Sequence, residues 1–441
     1  MQNIRHNAIP AEAQYLITPT SNNVITDTQT SRFNPRGANS FTYDGTNVIR
    51  FDIASNPNYF MNGKNSYLTF DHHVLGIPAD GGGHTYRAYF QNAHSWIKRV
   101  RIVTQSGDVL EDIDDYNLLY NMLSDATIGT DYRASMSGAL VGFSPAAAPI
   151  SKFNQVITTY NISLLSGVLK MEKFMPTGFL PFVIEIYLDR PTNCHQVIDT
   201  ANALAPFNLA GLTYVISNAY YVGEMPILES KYVEAFSQKV MNDGVALTYH
   251  THTHSLSSVD STVVNFRVGE NIKNIKTVHA VMRIPTNQNK TDEDSFTYVD
   301  SDIVEYQFSS GSSLYPIQPI QCATSNAAAG LGGNNCKEAY AEVLKALRYF
   351  NDISHTTILT DANYNSGNNA STKFMIGQEF ERDSVASFSS ALKTMDHRLS
   401  LYMKLAKMPA GGAGTVVIDA FTHYDKLVTI HAGGRIDDKF R

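Results

Sequence analysis

The sequence predicts an all-β chain of two consecutive antiparallel barrels, each interrupted by one short helix. Three observations predict this. Short segments with an apolar residue at every second position recur along the 441 residues, separated by turns rich in Gly, Asn, Asp and Pro. Two stretches switch to the helical period. Similar blocks recur in the same order in the two halves.

The bulk properties fit a self-associating globular protein. Hydrophobic residues make up 43%, enough for a packed core and too many for a disordered chain. Charged residues make up 17%, below the usual quarter or so, so Asn, Ser, Thr and Tyr must cover much of the surface. That suits extensive contact with copies of the same chain better than a solitary enzyme. The net charge of −7 leaves no basic footprint for nucleic acid. No apolar run approaches the roughly 18 residues of a membrane span. The start MQNIRHNAIP has no apolar segment of the secretory type, so no signal peptide is expected. Cys194, Cys322 and Cys336 cannot make a disulfide framework, and pairing of Cys322 with Cys336 across an Ala/Gly loop stays open. Asn161, Asn289 and Asn369 begin N-x-Ser/Thr triplets, read as chance matches.

In chain order, residues 1–35 are polar and read as an arm ordered only by something that holds it. Ile49, Phe51 and Ile53 alternate with polar neighbours as a strand, and Leu68, Phe70 and His72 as the next. Ile97–Thr104 and Val109–Ile113 form a hairpin about Ser106-Gly107-Asp108. Leu119, Met122, Leu123 and Ala126 then fall on one helical face, with Asp114 and Asp115 as candidate caps. Ser135–Pro149 reads as an exposed loop, Val156–Leu164 and Phe182–Leu188 as strands, and Tyr214–Val222 as the strand closing the first half. Gly223–Pro226 reads as a linker. A helix through Tyr232, Val233, Phe236 and Val240 stops at Asp243-Gly244.

The second half opens with the strand Val245–His254. Ile275–Ile284 is a strand ended by Pro285, and Thr286–Asp294 and Ser309–Asn335 read as loops outside the sheets. Tyr340, Val343, Leu344 and Leu347 give the second helix, and Leu399–Leu405 and Thr415–Ile430 further strands. The expected division is an arm over 1–35, a first barrel over 36–223 and a second over 224–441.

Four blocks align the halves. Leu68-Thr69-Phe70 matches Leu247-Thr248-Tyr249, and Ile97-Lys98-Arg99-Val100 matches Ile275-Lys276-Thr277-Val278. The helices match at Leu119 and Tyr340, and Thr213-Tyr214-Val215-Ile216 matches Thr415-Val416-Val417-Ile418. Eight strands per copy in two antiparallel sheets would make each copy a jelly roll.

At this point the chain resembles a known family, the double jelly-roll major capsid proteins of icosahedral DNA viruses. Asn65–Phe70, Ser95–Val100, Gly107–Ile113 and Tyr116–Leu119 carry the resemblance, and the order of strands and helices extends it over about 40–430. Within the family it is most similar to the capsid proteins of polinton-like viruses and virophages. The resemblance implies a homotrimer of pseudo-hexameric outline that tiles an icosahedral shell in the virion. It implies neighbouring capsomers, penton and minor capsid proteins as partners, and no catalytic residue, cofactor, nucleic-acid or small-molecule ligand.

One constellation points elsewhere. His250, His252 and His254 stand at i, i+2 and i+4, which places them on one face of a strand where imidazoles could surround a metal. With Gly244 they match the opening of the cupin motif, but Leu256, Ser257 and Ser258 stand where its Glu belongs. The alternative reading is therefore a jelly-roll metal-dependent enzyme or carbohydrate-binding protein built on these histidines. A polar strand face or subunit contact is the plainer one. Gly330-Leu331-Gly332-Gly333 before a helix lacks the Lys-Ser/Thr of a phosphate loop and reads as a surface loop. Capping accounts for the last two of Glu111, Asp112, Asp114 and Asp115. Arg5, Arg32, Arg36, Arg435, Lys439 and Arg441 read as solvated termini or neighbour contacts.

Overall fold

Beside five short strands at Ser40–Phe41, Tyr86–Tyr89, Gln196–Asp199, Ala205–Pro206 and Ile436–Asp438, the alternation read from the sequence becomes sixteen barrel strands, eight in each half. In the computed structural model they are β1 (Ile25–Phe33), β2 (Val48–Ile53), β3 (Asn62–Leu75), β4 (Ile97–Thr104), β5 (Val109–Asp114), β6 (Thr158–Ile162), β7 (Phe182–Leu188) and β8 (Thr213–Leu228), then β9 (Val245–Val259), β10 (Val263–Val268), β11 (Ile275–Arg283), β12 (Ile303–Ser310), β13 (Ser313–Gln321), β14 (Ile376–Glu379), β15 (Leu399–Leu405) and β16 (Val416–Ile430). The structure describes residues 25–54, 56–143, 156–202, 205–269, 272–322, 336–350, 357–364, 373–381, 391–394, 397–406, 416–431 and 435–438.

Each half is built on two facing antiparallel sheets, and a small sheet of Tyr86–Tyr89, Gln196–Asp199 and Ala205–Pro206 is added to the first half. The first has the strand orders β1-β8-β3-β6 and β2-β7-β4-β5; the second has β9-β16-β11-β14 and β10-β15-β12-β13. The two orders are the same when eight is added to every strand number, so both halves are eight-stranded jelly rolls. Period-two burial builds the cores. Ile49, Phe51 and Ile53 point inward from β2, as do Leu399, Leu401, Met403 and Leu405 from β15. In the first barrel Trp96 meets Phe70 edge-on at 4.9 Å, joining the two sheets.

The helices occupy one position in both barrels. Helix α1 (Tyr116–Thr127) lies between β5 and β6. A short turn α2 (Gly167–Lys170) follows β6. The linking helix α3 (Ser230–Asn242) ends at Gly244, whose φ of +75° suits the residue after a helix. Helix α4 (Lys337–Ala346) lies between β13 and β14, where α1 lies in the first barrel.

Several expectations are corrected. Residues 25–33, placed within the arm, form β1, which pairs with β8 from Ile25↔Leu228 to Phe33↔Tyr221. Residues 1–24 of that arm lie outside the described residues. Gly223–Pro226 is not a linker but part of β8. Ser135–Pro149 includes a helical segment, Met136–Val141, and Ser309–Asn335 includes β13. The Gly330–Gly333 loop lies outside the described residues. The first two repeat matches pair non-equivalent strands, β3 with β9 and β4 with β11. Equivalent elements are offset more evenly, from 416 − 213 = 203 for β8 and β16 to 337 − 116 = 221 for the helices. No disulfide joins the cysteines, and Cys336 Sγ donates to the Cys322 carbonyl at 3.2 Å.

Because β1 supplies the outer partner of β8, removing residues 25–33 should lower the melting temperature by about 5 °C or more. Near-UV circular dichroism checks this; an unchanged melt would return the segment to an arm.

Candidate functional site at the seam between the barrels

The histidine strand β9 is the edge of its sheet, and β5 is the edge of a sheet in the other barrel. Edge strands present unpaired backbone groups that must be covered. Here side chains cover them. The Tyr249 hydroxyl donates to the Leu110 carbonyl at 2.6 Å, and the Lys426 ammonium donates to the carbonyls of Val109 and Leu110 at 3.2 and 2.9 Å. The chains approach so closely that a Cβ on Gly167 would fall 1.5 Å from the His250 carbonyl oxygen, so only glycine fits in α2 there. Glu111 accepts from the Ser166 hydroxyl and from the Gly167 N–H at 2.8 Å. Burial pushes its carboxyl above the usual range despite these donors.

A row of alternating charge crosses the seam. Asp115 pairs with Lys98. His254 Nδ1 lies 3.2 Å from Asp115 Oδ2, and its Nε2 lies 2.9 Å from Asp419 Oδ1. Arg283 Nε closes the row at 2.7 Å from Asp419 Oδ2. Burial works to raise the Asp419 carboxyl, but His254 and Arg283 outweigh it and hold it below its ordinary value. Asp115 stands at the cap position of α1 with φ 47°, but its side chain makes no capping hydrogen bond and its carboxylate pairs across the seam instead.

Two further joints tie the barrels. Asp125 on α1 pairs with Arg133 at 3.1 Å and with Lys373 of the second barrel at 2.7 Å. The Thr286–Asp294 segment, expected as a loop outside the barrel sheets, lies outside them and clasps the first barrel. Fully buried Thr291 accepts the Leu209 N–H at 2.6 Å through its hydroxyl and the Val197 N–H at 2.7 Å through its carbonyl. The Gln91 amide donates to Asp294 at 2.8 Å.

The three histidines share one strand face as expected, yet the structure separates their roles. His254 bridges the barrels, and His250 pairs with Asp425. His252 stacks on His423 at 4.8 Å. Among the described residues one acidic and histidine group brings its ligand atoms within 4.8 Å: Asp114, Asp115 and His254. Lys98 and Asp419 already engage two of its three members in ion pairs. The histidines therefore lend no support to the metal-enzyme or sugar-binding alternative. Arg32 lies over the Tyr220 ring at 4.9 Å, and Arg435 is exposed; Arg5, Lys439 and Arg441 lie outside the described residues. Sequence reading missed Lys98, Arg283, Asp419, Asp125, Lys373 and Thr291. Their partners are often more than 80 residues away, and no local pattern marks them.

Neither a family model nor a curated protein matches the sequence. Solved structures do match the fold. PBCV-1 Vp54, fitted into a reconstruction of the virophage Sputnik, aligns with a TM-score of 0.57 at 9% identity over 97% of this chain and 100% of its own. The Faustovirus major capsid protein gives 0.55 at 10% identity over 94% and 92%. A chain of the Sputnik virophage itself gives 0.51 at 10% identity over 96% and 90%. The chain thus has the double jelly-roll fold, across nearly its whole length.

Breaking the charge row should be costly. Asp419→Asn leaves Arg283 and His254 facing a neutral amide, and should destabilise the chain by about 3–5 kcal/mol in chemical denaturation. Lys404→Gln on exposed β15 surface should change stability by less than about 0.5 kcal/mol.

Acid should weaken the fold through other histidines. Burial lowers His195 and His279 to about 4, and burial with neighbouring His279 and His250 lowers His252 to about 3. An unfolded imidazole takes its proton near pH 6.5, so between 6.5 and 4 the unfolded state binds more protons. Stability present above pH 6.5 is lost as pH falls, by about 1.4 kcal/mol per unit for each such group. The melting temperature should drop between pH 7 and 5, and His279→Leu should make that drop shallower. An equal or steeper drop in the variant would show that His279 is not one of the groups responsible.

Proposed function

We infer that this chain is a major capsid subunit that assembles, as trimers of pseudo-hexameric outline, into an icosahedral virion shell. The observation that carries the reading is the tandem of two barrels with identical strand order, joined rigidly by charge row, helix contact and clasp. Two similar barrels per chain give three copies six similar sides, which lets a closed threefold assembly tile a nearly hexagonal lattice. The solved structures of similar fold are described as viral capsid proteins, which supports the same role here. No described helix is long and apolar enough to cross a membrane. Penton and minor capsid proteins would fill the vertices and the joints between trimers.

Low charge fits this role, because surface that meets copies of itself in a lattice is largely desolvated. Exposed apolar side chains cluster where such contacts would form: Tyr132, Met136 and Leu140 after α1, and Leu314 and Ile317 on β13, an edge strand.

Purified protein should sediment at three times the 48.7 kDa of one chain and show six-lobed particles in negative stain. Met136→Asp with Leu140→Asp should reduce trimers or their arrays while leaving the circular dichroism spectrum intact. A strictly monomeric protein that forms no array at any concentration or salt would sink the reading.

A further inference from the structure

Beside the charge row the barrels leave a cavity of about 570 Å³, the size of a small-ligand pocket. Its lining comes from both halves. Lys64 of β3, Lys170 at the end of α2 and Lys173 just beyond it come from the first barrel; His250 and His252 of β9 and His423 of β16 come from the second. We propose that this inter-barrel cleft binds a polyphosphate group, with the three lysines as its charged cradle and the imidazoles as neutral hydrogen-bonding walls.

The lysines carry more charge than the lining offsets. Among the described residues Lys64, Lys170 and Lys173 form no ion pair, and Glu172 is the one carboxylate on the lining. Lys170 is crowded by protein, which pulls its ammonium below the ordinary value, yet its side chain stays open to the cavity. Its neighbour Glu111 acts on it with opposite sign, but the carboxylate already accepts from the Ser166 hydroxyl and the Gly167 N–H. A cation held among protein atoms and facing an open cleft is the arrangement that gains most from an anion.

The histidines set the rest of the lining. Burial, with His279 and His250 nearby, keeps His252 at about 3, and burial with His252, His250, His279 and Lys276 keeps His423 well below 6.5. At neutral pH both rings are uncharged, and each can donate one N–H to a phosphate oxygen. His250 is anchored by Asp425, which Lys276 also meets at 3.3 Å. Leu165, Met171 and Tyr249 supply apolar wall beside the cationic side. A phosphate chain alone would use the lysines. A nucleoside polyphosphate would also place its base against that wall.

Isothermal titration of the purified full chain with sodium tripolyphosphate and, separately, with magnesium-free ATP tests the proposal. Saturable binding at one site per chain is expected. Lys64→Gln with Lys170→Gln should weaken it at least ten-fold, while Lys404→Gln, far from the cleft, should leave it unchanged. Thr248→Glu, an exposed lining position, should weaken it in the same direction without touching a lysine. Tighter binding of ATP than of tripolyphosphate assigns the apolar wall to a base; equal binding assigns the site to the phosphate chain alone. No saturable heat with either probe overturns the proposal, as does binding that survives both the double lysine variant and Thr248→Glu in proteins with unchanged melting curves. The readout is binding per chain, in subunit or trimer alike, so it stands or falls apart from shell assembly.

Discussion

The fixed relation between the two barrels depends on carboxylates that cannot be left alone. Asp419 is fully buried, and a buried carboxylate without partners costs several kcal/mol. Its two partners, His254 and Arg283, lie in the second barrel, and His254 in turn needs Asp115 from the first. Asp419 is met within its own barrel, and it is the other ring nitrogen of His254, 3.2 Å from Asp115, that carries the row across the seam. Asp125 imposes the same demand in the opposite direction, since it lies in the first barrel and needs Lys373 from the second. Apolar packing alone would allow sliding, because it is non-directional. Directed charge pairs on both sides remove that freedom.

The left-handed backbone at Asp115 follows from this demand. Sequence reasoning made Asp114 and Asp115 helix caps, because a short carboxylate before a helix normally accepts its free N–H groups. Asp115 gives up that role, and the strain of φ 47° is sustained because Lys98 and His254 fix the carboxylate on the other side. The clasp loop makes the same point. Thr286–Asp294 is polar and so reads as a loop outside the barrel sheets, but its polar groups are polar in order to meet backbone N–H and C=O groups of the first barrel.

What was legible in the sequence was whatever repeats locally. The strands with alternating burial were visible, as were α1, α3 and α4 at the helical period. Strand β1 was not, because ITDTQTSRF is exposed at most positions and is held chiefly by its ladder with β8. Alternation also explains the misplaced repeat. Any two amphipathic strands of a sandwich look alike over three or four residues, so Leu68–Phe70 aligned with the wrong partner. The helices and the closing strands aligned correctly because each occurs at one place per barrel. At the candidate site, the common face of His250, His252 and His254 followed from the period of two. Their separate fates did not, because these depend on Asp425, His423, Asp115 and Asp419, brought near only by the closed sheets.

The same reasoning explains how the fold persists at 9–10% identity to the solved structures it matches. A jelly roll asks of each strand only alternation and roughly conserved volume, which many sequences meet. Docking two such barrels asks for more, because edge strands and buried charges must be satisfied one by one, and there are many chemically distinct ways to do so. Sequence freedom should therefore be narrow within one seam and wide between seams of different proteins. A histidine placed between two carboxylates is one such solution, and it accounts for a row of histidines that a motif search reads as metal ligands. Beside it, where the two rounded surfaces diverge, close docking leaves a cleft. The lysines there do not take part in the joint, so the cost of keeping them together without counter-charge is not met by barrel docking itself.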